Sequence, residues 1–203
     1  MKYMGSKNRI AKHLKPFLEK HLNGDNYYVK PFVGGANMID KINYPKRIGA
    51  DFNEYLILGL KYIQNELDTL PDIITEDYYK ELQNKKDKNG ITGFVAFSMS
   101  FGGKFFGGYR RDKAGTKGCL KNMETQTRRT KNSALKQRDL IKDVKFIHSS
   151  YQDLEIPRGS VIYCDPPYEG TTKYKDDFNH PNFWEWCREQ VSLGNYVYIS
   201  EYL

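Results

Sequence analysis

Five short runs rich in β-branched and aromatic residues, at 27–33, 47–51, 144–148, 161–165 and 196–200, recur along the chain with helical patterns between them. Short apolar runs bounded by turn residues suit buried strands, and a helix between two such strands supplies the crossover a parallel pair needs. Over 8–21 the residues Ile10, Leu14, Phe17 and Leu18 fall at helical spacing, and helix candidates at 37–42, 54–67 and 183–193 each follow a strand. The alternation predicts an α/β fold built on a parallel sheet.

The interval 75–143 breaks that rhythm. It holds an apolar stretch at 91–101, a glycine-rich loop at 102–118 and a basic helix candidate around 126–142. Glycines set among aromatics and arginines suit exposed, adaptable backbone. We read the interval as a small inserted lobe, with 1–74 and 144–203 forming the two parts of one domain, since 203 residues is near the size of a single large domain.

The charge is concentrated in the same place. Between Lys104 and Lys145 stand thirteen Lys or Arg against Asp112, Glu124, Asp139 and Asp143, a local balance of +9, so the rest of a chain of net charge +7 is at −2. Such a block suits a polyanion, because each cation meeting a phosphate releases a condensed counterion; an ordinary solvated basic face is the other reading.

Several classes are set aside. With 39% hydrophobic and 28% charged residues the chain does not read as disordered. No apolar run approaches the ~20 residues of a membrane helix, and the opening residues lack the apolar centre of a secretory signal, so no membrane partner and a cytoplasmic location are expected. Cys119, Cys164 and Cys187 form no CxxC pair, and no disulfide framework or metal site is expected. His13, His21, His148 and His180 lack a paired carboxylate pattern and receive no role, and Trp184 and Trp186 read as packing residues.

The sharpest motif is Asp165-Pro166-Pro167-Tyr168, directly after the apolar run Val161-Ile162-Tyr163-Cys164. Both prolines fix φ and lack N–H donors, so Asp165 and the Pro166 carbonyl stand as fixed acceptors at a strand's end. Such a site wants an amino group. An exocyclic NH2 donating to both would have its lone pair localised for attack on an electrophilic methyl, with Tyr168 stacked on the base. The plain alternative is a proline-stiffened turn with an Asp cap.

A second motif, Lys30-Pro31-Phe32-Val33-Gly34-Gly35-Ala36-Asn37, carries a strand through glycines into a helix, and Asp51 ends the next strand. Glycines let a ligand approach the backbone, and a carboxylate one βαβ step later can accept hydrogen bonds from ribose hydroxyls. Each has a plainer reading, a simple turn for the first and a helix N-cap for Asp51. Together they describe a nucleoside-bearing cofactor.

Taken in order, Tyr3-Met4-Gly5-Ser6-Lys7, Pro31-Phe32-Val33-Gly34-Gly35, Ala50-Asp51-Phe52-Asn53 and Asp165-Pro166-Pro167-Tyr168 resemble Dam-type (D12 class) DNA adenine methyltransferases over nearly the whole chain. The resemblance implies a Rossmann-like S-adenosylmethionine-dependent methyltransferase sheet with an inserted DNA-recognition lobe, acting on adenine N6 in duplex DNA by base flipping and direct attack. It implies cofactor contacts from Tyr3, Lys7, Phe32, Gly34, Gly35, Asp51 and Asp165, with Lys7 on the methionine carboxylate and Tyr151 in face contact with the adenine. Phe101-Gly102-Gly103-Lys104 and Gly107-Gly108-Tyr109-Arg110-Arg111 look like the family's DNA loop, and target recognition, including Arg128, Arg129 and Lys131, would follow from Lys113 to about Arg138. Ala36 stands where the family usually has glycine, which tightens the pocket. The resemblance also predicts a strand hairpin beyond 196–200, and a sheet edge without it is expected to favour self-association. Two rival readings stay open: methylation of cytosine N4 or another planar amino group, and an inactive DNA-binding remnant.

Overall fold

The computed structural model describes residues 1–111, 119–168 and 178–200. Five strands, β1 (Tyr28–Lys30), β2 (Arg47–Asp51), β3 (Val144–His148), β4 (Val161–Cys164) and β5 (Tyr196–Ile199), form one sheet in the order β3-β2-β1-β4-β5, with every neighbouring pair parallel. All five expected strands are present. Tyr28 lies opposite both Arg47 and Val161, so Lys30, Asp51 and Cys164 finish along one edge of the sheet. From β1 the chain moves outward to β2 and β3, then returns to β4 on the other side. That reversal opens a crevice between the loops leaving β1 and β4, where open sheets bind ligands.

Alternation along the strands divides the core in two. Tyr28, Phe146, Val161 and Tyr163 face one cluster, built with α1 (Ala11–Glu19), α2 (Glu54–Asn65), α3 (Glu76–Lys85), α4 (Gly90–Ser98) and α5 (Leu120–Ile141). Val29, Ile48, Ala50, Ile162 and Cys164 face the other, against Phe183, Trp186 and Cys187 of α6 (His180–Ser192). Trp186 is buried there, a packing residue.

Helix boundaries follow their caps. Side chains of Asn53, Thr75, Asn89 and Asn179 accept N–H groups in the first turns of α2, α3, α4 and α6. Because Asn179 caps and a proline occupies the first turn, α6 begins before the expected 183. The helix expected over 8–21 is split into a 3-10 turn, Lys7–Arg9, and α1, which leaves Phe17 exposed; 37–42 yields only the 3-10 turn Ile39–Lys41.

The apolar stretch of the inserted interval is α4, with Thr92, Gly93, Phe94, Val95, Ala96, Phe97 and Ser98 all buried. It packs on α2 through glycines. A Cβ on Gly93 would lie 2.2 Å from the Tyr55 carbonyl oxygen, and one on Gly59 would lie 2.8 Å from the Gly93 carbonyl carbon. The first helices of the interval therefore share the main core, and what projects is the loop after α4 and the exposed face of α5. Residues 112–118, within the expected glycine-rich loop and recognition stretch, lie outside the described residues.

Candidate active site

At the crevice the end of β4 meets the N-terminal turn. Lys7 is held on its 3-10 turn by Ser6, whose hydroxyl accepts the Asn8 N–H at 3.4 Å. Its ammonium reaches Asp165 Oδ1 at 3.0 Å and stands 4.5 Å from the centre of the Tyr168 ring. The Tyr168 hydroxyl donates to the same Oδ1 at 3.0 Å. Burial works against the Lys7 charge, but the contacts with Tyr168 and Asp165 outweigh it and hold the ammonium well above the ordinary lysine range. Three residues expected from the sequence thus form one cluster at the switch point, although Lys7 there meets Asp165, the residue expected to take the target amino group.

On the β1 side Gly34 adopts φ +54, a left-handed conformation that glycine takes without strain. A Cβ there would lie 3.2 Å from the Tyr3 ring, and one on Gly35 would lie 2.8 Å from the Tyr3 Cβ, so both glycines make room for Tyr3. Ala36 follows at φ +61 with its methyl fully buried. Asp51 joins this turn to β2: its Oδ2 accepts the Gly34 N–H at 3.1 Å and its Oδ1 the Asn53 N–H at 3.1 Å. Burial pushes its carboxyl above the ordinary value, and those two donors with the charges of Lys30 and His148 offset this only in part. The capping role open to Asp51 falls instead to Asn53.

Phe32 turns to the opposite face, where its ring lies 5.5 Å from Tyr151 and 5.8 Å from Phe183. Tyr151 is buried, with Phe178 at 5.8 Å, Phe183 at 5.5 Å and Trp186 at 5.2 Å around it. The Tyr151 expected to meet the adenine is thus surrounded by aromatic neighbours in the wall behind the crevice. Phe52 is the aromatic that stands out, 75% exposed, with its carbonyl held by His148 Nε2 at 3.0 Å. Phe52 stands in the Ala50-Asp51-Phe52-Asn53 motif without a role of its own there, although its place directly after Asp51 at a strand end is a usable signal. Lys30 was also passed over; it is 3% exposed at the end of the central strand, and a lysine there is unusual enough to be a signal itself.

The cations expected to meet DNA differ in their surroundings. Lys104, Arg128 and Arg129 are exposed. Arg110 donates to Thr130 Oγ1 at 3.0 Å, Arg111 binds both carboxylate oxygens of Glu76 at 2.7 and 2.8 Å, and Lys131 donates to the Leu70 carbonyl at 3.3 Å. Tyr109 is corrected to a packing residue, since it is buried and donates its hydroxyl to the Ile74 carbonyl at 2.6 Å. Beside Tyr3 a cleft of about 590 Å³ carries Lys2, Lys41, Arg110, Arg129 and Lys136 on its walls against the single carboxylate of Asp40, which pairs with Lys41 at 3.0 Å.

Among the described residues no group of His, Cys, Asp and Glu could hold a metal ion, and no helix is long and apolar enough to cross a membrane. A five-strand parallel sheet with ligand-facing loops at its switch point is the architecture of a Rossmann-like S-adenosylmethionine-dependent methyltransferase. Residues 3–192 match the model of the D12 class N6 adenine-specific DNA methyltransferases, and the chain belongs to that family. It is 27% identical to the type II methyltransferase M.MjaIII of Methanocaldococcus jannaschii, over 85% of this chain and 70% of the relative. It is 29% identical to the retron Ec67 DNA adenine methylase of Escherichia coli, over 84% of this chain and 64% of the relative. With the type II methyltransferase M.FokI of Planomicrobium okeanokoites it shares 22% identity over 94% of this chain, which corresponds to 32% of that protein.

Proposed function

We propose that this chain transfers a methyl group from S-adenosylmethionine to the N6 amino group of an adenine turned out of duplex DNA. The observation that carries the reading is the Lys7–Asp165–Tyr168 cluster at the switch point, facing the Gly34 turn and Asp51. The residues present fit the cofactor. The β1 turn holds Gly34 at φ +54 against the Tyr3 ring, Asp51 has acceptor capacity for ribose hydroxyls beyond its two N–H donors, and exposed Phe52 offers an apolar plane to an adenine. When bound, S-adenosylmethionine supplies an electrophilic sulfonium methyl.

The chain's own contribution is alignment and charge. Lys7 and Tyr168 both hold Asp165 through Oδ1, so Oδ2 is the oxygen offered to the amino group, together with the Pro166 carbonyl. Accepting those two hydrogens would localise the N6 lone pair and stabilise the positive charge that grows on nitrogen as the N–C bond forms and the S–C bond breaks to release the thioether, and the surplus N6 proton would leave by way of Asp165 Oδ2. Tyr168 supplies a face for the extruded base, and Tyr3 and Lys7 close the cofactor side. Exposed Lys104, Arg128 and Arg129, with the basic cleft, meet the phosphates, and the interval 75–143 carries target recognition. A cytoplasmic location is part of the same proposal. The sheet edge at β5, where Tyr196 is 44% exposed, is proposed to pair with a second copy, which sedimentation at rising concentration tests.

Asp165→Ala is the direct test. Methyl transfer to DNA is expected to vanish while calorimetry still records weakened S-adenosylmethionine binding. Unchanged transfer by this variant sinks the assignment.

A further inference from the structure

Beneath the crevice lies a charged side chain that none of the roles above uses. Lys30 ends β1, the middle strand, and is 3% exposed. Its Nζ donates to the Phe32 carbonyl at 2.7 Å, bridging the start of the cofactor-side turn, and stands 4.7 Å from the centre of the Tyr163 ring on β4. A lysine is rarely buried so deeply without a partner that repays its desolvation. Here burial pulls the Lys30 pKa below the ordinary lysine value, and the charges of Asp165 and Asp51, groups of the site itself, offset this only in part.

We propose that Lys30 is a positioning residue for methyl transfer, tying the Phe32 carbonyl, and through it the Phe32–Gly34 turn, to the floor between β1 and β4. The inference rests on the methyltransferase reading and deepens it. Phe32 and Gly34 belong to one short segment: the Phe32 ring is anchored on one face of the sheet against Tyr151 and Phe183, and the Gly34 N–H is bound to Asp51. The 2.7 Å bond from Lys30 fixes the carbonyl between those two anchors, so it sets how the turn presents itself to the cofactor. Tyr163 in turn is braced by its hydroxyl on Ser200 Oγ at 2.6 Å, which gives the lysine a fixed wall.

The test is Lys30→Met, which keeps length and volume and removes the donor and charge, beside Lys30→Arg, which keeps both. The parent must first methylate DNA and bind S-adenosylmethionine; failure there overturns the functional reading and leaves the role of Lys30 without a reaction to serve. With an active parent, Lys30→Met is expected to raise KM and Kd for S-adenosylmethionine at least tenfold. The same variant should keep kcat at saturating cofactor within threefold and duplex affinity within twofold, and Lys30→Arg should recover most of the loss. Cofactor KM within twofold of the parent in Lys30→Met overturns the proposal. So does a rise in KM accompanied by a joint fall of kcat, DNA affinity and melting temperature in both variants, which describes a merely structural lysine.

Discussion

Lys7 and Asp165, brought from opposite ends of the chain, form an ion pair at 3.0 Å whose side chains are 16% and 15% exposed. The pair couples the N-terminal turn to the end of β4, and Tyr168 closes it by donating to the same carboxylate oxygen. On the proposed reading, Lys7 would also fix which oxygen of Asp165 is left to accept an amino group. Lys7→Met is expected to lower kcat at least tenfold, about 1.4 kcal/mol of transition-state stabilisation, and to lower the melting temperature as well, because Asp165 loses its cation. Single-turnover rates with saturating DNA and cofactor measure this, and a rate equal to the parent's contradicts it.

Asp51 predicts a pH dependence. Because burial raises its carboxyl pKa in the folded chain, the native state keeps that proton to higher pH than the unfolded chain does. A carboxyl shifted this way contributes most stability at low pH, and the contribution is lost as pH rises from the ordinary carboxylate value through the raised one. Asp51→Asn removes that slope. Melting temperature plotted against pH through this acidic window should climb more steeply with pH in the variant than in the parent, and cofactor affinity should be lower. Parallel curves would show that Asp51 does not titrate as its burial requires.

Gly93 tests the packing of α4 on α2. Its missing Cβ would lie 2.2 Å from the Tyr55 carbonyl oxygen, a backbone atom that cannot move aside without moving α2. Gly93→Ala is expected to destabilise the fold by ~1–3 kcal/mol, measured as a lowered urea midpoint. An unchanged midpoint would mean the two helices are not held at this distance.

For DNA, exposed Arg128 and buried Tyr109 give opposite expectations. Removing Arg128 should reduce the slope of log affinity against log salt by up to ~0.9 for the one phosphate it meets, leaving cofactor binding as it was. Tyr109→Phe removes the bond to the Ile74 carbonyl and should cost ~1 kcal/mol of stability without altering that slope. Anisotropy titrations across a salt series measure both, and a slope that shifts in Tyr109→Phe alone reverses the assignment.

The sheet was legible because its signals are local. Each strand is a short apolar run, and Asp51 and Asp165 sit at strand ends where hydrophobic alternation stops. What the sequence concealed depended on long-range packing. Tyr109 among arginines reads as a surface aromatic, yet its hydroxyl finds a carbonyl in the segment before α3. Nothing local in the sequence announces that Tyr151 packs edge-to-face with Phe183 and Trp186 of α6. Arg111 reads as a surface cation, and nothing local announces Glu76 as its partner. The helical character of 90–98 was hidden for another reason: an apolar stretch buried on nearly all sides shows little periodicity, and its glycines meet a neighbour only when α2 is in place.

Everything proposed for the Asp165 site turns on whether it methylates adenine in DNA. The decisive experiment incubates the purified chain with S-adenosylmethionine and unmethylated duplex DNA, then digests the DNA and quantifies its nucleosides by mass spectrometry. N6-methyldeoxyadenosine is expected in the parent reaction and none with Asp165→Ala. A methylated cytosine, or no methylated nucleoside from a chain that binds both S-adenosylmethionine and DNA, would refute the assignment.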